Sequence, residues 1–212
     1  MSQLDNATML AESGAPAGPM GDGLTHKLRL GPHRELISGL AHGRYYEAAR
    51  RGNVFAAYAI VTAPVIWSTE AGTGGPLLWN GSSTVKANIL GVGIAVTVVT
   101  TVAAALGFTT GSGQSSAPTT TTAIDSVGNM LPGGADPACT AYRIGTTVLN
   151  KHFVPIAHVH TGALTVDTFG FGWFDVNGMI VVPPNCFASL AASATATTLV
   201  MNACIVWEEI SI

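Results

Sequence analysis

Large apolar residues and small or polar ones alternate with a period of two along most of the chain beyond Asn53, the spacing of strands that bury one face. The alternation is plainest from Ile89 to Phe108, where Leu90, Val92, Ile94, Val96 and Val98 are separated by Gly91, Gly93, Ala95 and Thr97. That stretch is twenty residues long and uncharged, so its length also suits a helix crossing a bilayer. Its period, its valines and threonines, and the absence of flanking Lys/Arg asymmetry predict one long or broken strand instead. Further strands are predicted over Val54 to Thr62, Val65 to Ser68, Leu77 to Trp79, Ala87 to Thr101, Tyr142 to Leu149, Val154 to His160, Ala163 to Thr168, Met179 to Val182, Phe187 to Ala192 and Thr198 to Glu208. Turn residues separate them at Gly72 to Pro76, Asn80-Gly81, Gly111 to Pro118, Pro132 to Pro137, Asn177-Gly178 and Pro183-Pro184-Asn185. Thr109 to Asp125 reads as a long polar loop. About eight to ten short strands with polar turns predict an all-β, jelly-roll-like β-sandwich.

A helical period occurs once. Glu35 to Arg51 places Leu36, Ile37, Leu40 and Tyr45 near one face and ends in Arg50 and Arg51, with Gly52 beyond. Cations in the last turn followed by glycine are the order of a helix C-terminus, so one short helix is expected there. The chain then divides into three parts: an extended N-terminal arm over 1–25, a basic linker with the short helix over 26–52, and the β-sandwich over 53–212. The arm is rich in Gly, Ala, Pro and Ser and contains Asp5, Glu12 and Asp22. The linker holds six of the nine cations against Glu35 and Glu47. The β-region has only Lys86, Arg143 and Lys151 against seven acids.

Charge changes what this fold must do. Among 212 residues only 10% are charged, whereas soluble domains usually carry about 25%. A disordered, solvating chain is excluded by that figure together with 48% hydrophobic residues. A net charge of -3 argues against a free nucleic-acid binder. A membrane protein remains, or one whose surface is covered by copies of itself or by partners, and the strand period of Ile89 to Phe108 selects the second. Neither the basic nor the apolar region of a signal peptide stands at the N-terminus, so synthesis in a cytoplasm without that export route is expected. The sequons at Asn6 and Asn80 then have no consequence.

Candidate chemistry is thin. His158 and His160 are two apart, so on a strand both rings share a face, as in strand-borne metal pairs, with His152 and Asp167 as possible third ligands. Asn177 to Leu190 looks like the hairpin of a cupin, a strand opened by glycine and running into a proline turn. The glutamate that follows a cupin's His pair is missing, since Thr161 to Thr165 stand there, and so is the second-motif histidine, where Cys186, Phe187 and Ala188 are found. The expectation is therefore no metal and no cofactor, with the histidines bonded at a strand edge or a subunit contact. No Ser/His/Asp triad has local support, and Glu70, Asp125, Asp136, Asp167, Asp175, Glu208 and Glu209 are scattered, so no catalytic residue is assigned and no enzyme is expected. Cys139, Cys186 and Cys204 lack metal or redox spacing and read as buried small hydrophobes. Trp67, Trp79, Trp173 and Trp207 read as core or interface anchors. Glu208 and Glu209 close the final strand and read as protection of an edge. The basic stretch over 26–52 is expected to dock on an acidic protein surface.

The run His42 to Gly52 (HGRYYEAARRG), the phrase Leu77 to Ser83 (LLWNGSS) and the closing run Ser189 to Glu209 resemble small β-rich virion proteins of tailed bacteriophages. The likeness is one of texture and short phrases over most of the chain after the arm. It implies a jelly roll with an N-terminal arm, a symmetric homo-oligomer with a trimer favoured, a place in the virion, and contact with a major capsid protein or another virion protein. Nucleic acid and membrane are not expected partners. The function it implies is that of a head decoration or cement protein. A tail, neck or fibre component and a single jelly-roll major capsid protein share these features, and a cupin-like metal-binding protein is the remote alternative.

Overall fold

The computed structural model describes residues 11–12, 28–29, 44–62, 65–66, 75–98, 104–112, 122–124, 127–143, 152–159, 172–193 and 199–212. Two compact units are present, 1–47 and 48–212. In the first, β1 (Ala11–Glu12) pairs in parallel with β2 (Leu28–Arg29). The helix α1 (Tyr46–Arg50) is shorter than Glu35 to Arg51, and Glu35 to Gly43 lie outside the described residues. Its end follows the expectation. Gly52 takes a φ of 74°, its N–H donates to the carbonyl of Ala49, and the N–H of Asn53 donates to the carbonyl of Ala48. This pair of bonds is the Schellman closure, which glycine adopts without a Cβ penalty.

The strands that follow are β3 (Val54–Thr62), β4 (Val65–Ile66), β5 (Pro76–Asn80), β6 (Val85–Val98), β7 (Ala104–Gly111), β8 (Thr122–Ala123), β9 (Val127–Asn129), β10 (Thr140–Arg143), β11 (His152–Val159), β12 (Gly172–Val182), β13 (Cys186–Ala192) and β14 (Val200–Ser211). One sheet runs β11-β7-β13-β5-β10-β8, with β4 parallel to the end of β13. The other runs β12-β6-β14-β3-β9. Every pair other than those of β1 and β4 is antiparallel.

The connectivity is that of a jelly roll. Four antiparallel pairs nest around one tip: β7 with β11, β6 with β12, β5 with β13, and β3 with β14. A long hairpin with these pairings, rolled into two layers, gives β3, β14, β6 and β12 in one sheet and β5, β13, β7 and β11 in the other. The chain from β7 to β11 adds β8 and β10 beside β5 and β9 beside β3, so it flanks both sheets on the same side.

The inner faces supply the core. Strict alternation points Met201, Ala203, Ile205 and Trp207 of β14 inward, with Phe55, Ala57, Ala59 and Val61 of β3 beside them. Trp207 stacks on Phe55 at 5.8 Å between ring centroids. Leu78, Leu106, Phe108, Leu190 and Ala192 meet them from the opposite sheet. Each such large side chain contributes about 1.5–3 kcal/mol by burial.

Ile89 to Phe108 takes the broken form of the expected strand, divided between β6 and β7, which belong to different sheets, and no helix among the described residues is long and apolar enough to cross a membrane. Three expectations need correction. The predicted loop Thr109 to Asp125 begins inside β7 and includes β8, because Thr109 is buried and continues the ladder with Ser189. Asn177-Gly178 is a bulge within β12. Both residues have positive φ, and pairing with β6 resumes at Ile180 after the shift that begins at Asp175. The stretch Asn177 to Leu190 is no hairpin, since Pro183-Pro184-Asn185 carries the chain from one sheet to the other. The proline pair has no N–H for a ladder, and Asn185 turns left-handed at φ 58°.

Candidate functional site

Burial separates the outer faces of the two sheets. On the first sheet, Leu77, Thr109, Phe187, Ser189 and Ala191 point away from the main core yet are all buried. Leu77 and Phe187 form a second apolar cluster with Trp79 and Tyr142, whose rings are 6.5 Å apart. On the second sheet the outer face is open. Its outward positions are Ala56, Tyr58, Ile60 and Thr62 on β3, and Val200, Asn202, Cys204 and Val206 on β14. On β6 they are Gly91, Gly93, Ala95 and Thr97. None of these twelve carries a charge, and the charged residues of the face, Glu208 on β14, Lys86 on β6 and Asp175 on β12, lie at its margins.

Register fixes how the face is shaped. Tyr58, Cys204, Gly93 and Trp173 lie in one row across β3, β14, β6 and β12. The middle of the row is low and its ends are high. Tyr58 stands at one end, with its hydroxyl donating to Asn202 Oδ1 at 2.7 Å. At the other end the Trp173 ring covers Gly91 so closely that a Cβ there would lie 2.4 Å from it. The indole N–H donates to Asp175 Oδ1 at 2.9 Å, which fixes the ring. Trp173 is therefore an exposed surface ring and no part of the core, whereas Trp207 is the core anchor expected and Trp79 is half-buried. Trp67 lies outside the described residues.

A second constellation holds the chain that passes from one sheet to the other. Glu209 is buried at the end of β14, which is a central strand between β3 and β6, so this acid does not guard an edge as expected. Its carboxylate accepts from the backbone N–H of Ala138 at 2.9 Å, from that of Cys139 at 2.8 Å and from Trp207 Nε1 at 3.2 Å. Asn129 completes the clamp: its amide donates to the carbonyls of Gly52 and Ala135, and its Oδ1 accepts from the N–H of Leu131. Burial, then the negative charge of Glu209 and the hydrogen bond to it, push the Cys139 thiol far above its ordinary range. Burial raises the Glu208 carboxyl, partly offset by the nearby Arg51, and burial also raises the Cys204 thiol. Of the three cysteines only Cys139 is fully buried.

The histidines weighed as metal ligands are only partly described. His152 and His158 stand at opposite ends of β11, opposite Thr110 and Ala105. Six residues of strand span roughly 20 Å, so the two backbone positions are too far apart to serve one ion. His160 and Asp167 lie outside the described residues, as do Glu70 and Asp125. Among the described residues no group of three His, Cys, Asp or Glu could hold a metal. A cleft of about 230 Å³ at one end of the sandwich is lined by His152, Cys186, Thr110, Ser112 and Pro183 among others. No carboxylate, lysine or arginine is among its lining residues, so it offers neither an acid–base pair of carboxylates nor a cation to stabilise an anion.

The open sheet face is what reading the sequence for motifs passes over, because none of its residues belongs to one. Its signal is an absence of charge at every second position of β3 over Ala56 to Thr62, of β14 over Val200 to Val206 and of β6 over Gly91 to Thr97. No family model, no curated protein and no solved structure matches the chain.

Proposed function

We propose that this protein is a non-enzymatic structural component of a virion, a head decoration or cement protein that binds the capsid shell as a symmetric homo-oligomer. The observation that carries the reading is the outer face of the β3-β14-β6-β12 layer, which has twelve neighbouring outward positions without a charge and keeps its charged residues, Lys86, Glu208 and Asp175, at its margins. A protein that works alone in water displays charge on its solvent face, whereas one that works in an assembly hides that face in contacts. The basic residues gathered in 26–52 supply the complementary part, a positive stretch suited to an acidic protein surface. On this reading the protein is made in the host cytoplasm and ends in the particle.

Purified protein added to capsids that lack it should bind in a stoichiometric, saturable amount and raise the temperature at which the shells open. Absence of binding together with unchanged stability of particles lacking the protein defeats the proposal. The jelly-roll winding itself favours a second reading, a single jelly-roll major capsid protein, because that fold builds shells as well as decorating them. Copy number per particle separates the two.

A further inference from the structure

We infer that the row from Trp173 to Tyr58 is a binding site for a neutral oligosaccharide, with the Trp173 ring as the platform on which a pyranose stacks. The ring is the first observation. Trp173 remains 45% exposed although it packs on Gly91, and its N–H is committed to Asp175 Oδ1. The fixing is local in origin: Gly91 has no Cβ to lift the ring, and Asp175, two residues along, projects from the same side of β12. A π-surface held still beside water suits the C–H face of a sugar ring, and little freedom is lost when the two pack.

Polar groups at both ends of the row come second. Asp175 is exposed, and an ionised carboxylate only accepts hydrogen bonds. Tyr58, 44% exposed, gives its hydroxyl proton to Asn202 Oδ1, which leaves the Tyr58 oxygen to accept and the Asn202 amide to donate. Acceptors at both ends with a donor beside one of them fit a ligand whose groups give and take hydrogen bonds, as sugar hydroxyls do. Proline-rich segments also pack on aromatic rings, but proline has no N–H for these acceptors. Single-stranded nucleic acid needs cations along its backbone, whereas Asp175 stands beside the ring and Lys86 lies near the start of β6, away from the row. The same carboxylate repels acidic sugars, so the ligand is a neutral one.

The third observation is span. Trp173 and Tyr58 are three strand spacings apart, about 14 Å. Cys204 and Gly93 stand between them in the row, and neither has a side chain that rises to the height of the rings. A short chain of pyranoses bridges that distance and a single ring does not. The row is one part of the outer face, and the inference does not rest on the capsid reading. Sugar binding is measured on the free chain, where shell contacts play no part.

Calorimetric titration of the full-length protein with maltotriose, cellotriose, mannotriose and chitotriose tests the inference, with a sialylated trisaccharide as the acidic comparison. Saturable binding of at least one neutral sugar is expected, and none of the sialylated one. Trp173→Ala should weaken that binding by about 10-fold or more, and Tyr58→Ala by a smaller factor. Met179→Ala, highly exposed on the same strand but outside the row, should leave it unchanged. If Trp173→Ala loses its strand signal in circular dichroism, Tyr58→Ala and Asp175→Ala decide the matter in the same titration. Any of four results overturns the inference: no saturable binding of any neutral sugar, binding that the folded variants leave intact, equal binding of the sialylated sugar, or a polyproline peptide bound at Trp173 in place of the sugars.

Discussion

The two outer faces of this jelly roll have nearly the same composition and opposite fates. The face of the first sheet, with Leu77, Trp79, Phe187 and Ala191, is largely buried within the chain. The face of the second sheet, with Tyr58, Ile60, Val206 and the glycines of β6, is open at its rim. An antiparallel sheet that ends at water usually alternates apolar inward with polar outward, so neither face was built to stay wet. The difference shows that low charge is not one property here. In one layer it provides internal packing, and in the other it leaves exposed a rim that includes Tyr58, Ile60 and Trp173.

The strongest test of that contrast is a matched pair of truncations. Phe187→Ala should cost about 3–5 kcal/mol in urea unfolding, the price of a buried aromatic. Ile60→Ala, read on the monomer, should stay within about 0.5 kcal/mol. Equal effects would break the comparison. Next in size is the clamp on the side where both sheets are flanked. Glu209→Gln puts an amide N–H where the carboxylate now accepts from Ala138, Cys139 and Trp207, and should cost about 2 kcal/mol in the same measurement. A loss too small to measure would mean that the crossing between the sheets is held by Asn129 alone.

The smallest effect is a pH slope. In the folded chain the Cys139 thiol is held protonated above its ordinary value of 9.0. Its stabilising contribution is complete below that value and is lost as pH rises through it, because the unfolded chain gives up the proton first. Between pH 9 and 10 the unaltered protein should lose stability faster than Cys139→Ala, by up to about 1.4 kcal/mol per pH unit. Parallel curves for the two proteins would show that neither burial nor Glu209 holds the thiol protonated.

Much of the architecture was legible from alternation. Val54 to Thr62 is a strand at both predicted ends, because the helix closure at Gly52 fixes where it begins and period two runs unbroken to Thr62. That Ile89 to Phe108 could break was legible from its length, but the change of sheet between β6 and β7 was not, since no glycine or proline lies between Val98 and Ala104 to mark it. Asn177-Gly178 was misread for a physical reason. Its left-handed backbone is what the pair commonly adopts in a hairpin turn, and only the continuing ladder with β6 makes it a bulge. The same limit applies to the candidate surface. Trp173 and Tyr58 lie in different strands far apart in sequence, and only the register across β14 and β6 puts them in one row.

The strands that terminate each sheet bear on how so uncharged a chain limits pairing from edge to edge. On one side the last strands are β8 and β9, of two and three residues. On the other they are β11, which contains Pro155 and a register shift beside it, and β12 with its bulge. A short or crooked margin cannot template a further strand, and proline has no N–H to offer one. Runaway growth by strand addition is thereby blocked in all four directions. A chain with this little charge thus keeps like copies from adding strand by strand at the margins of its sheets, by backbone shape where other proteins use charged side chains.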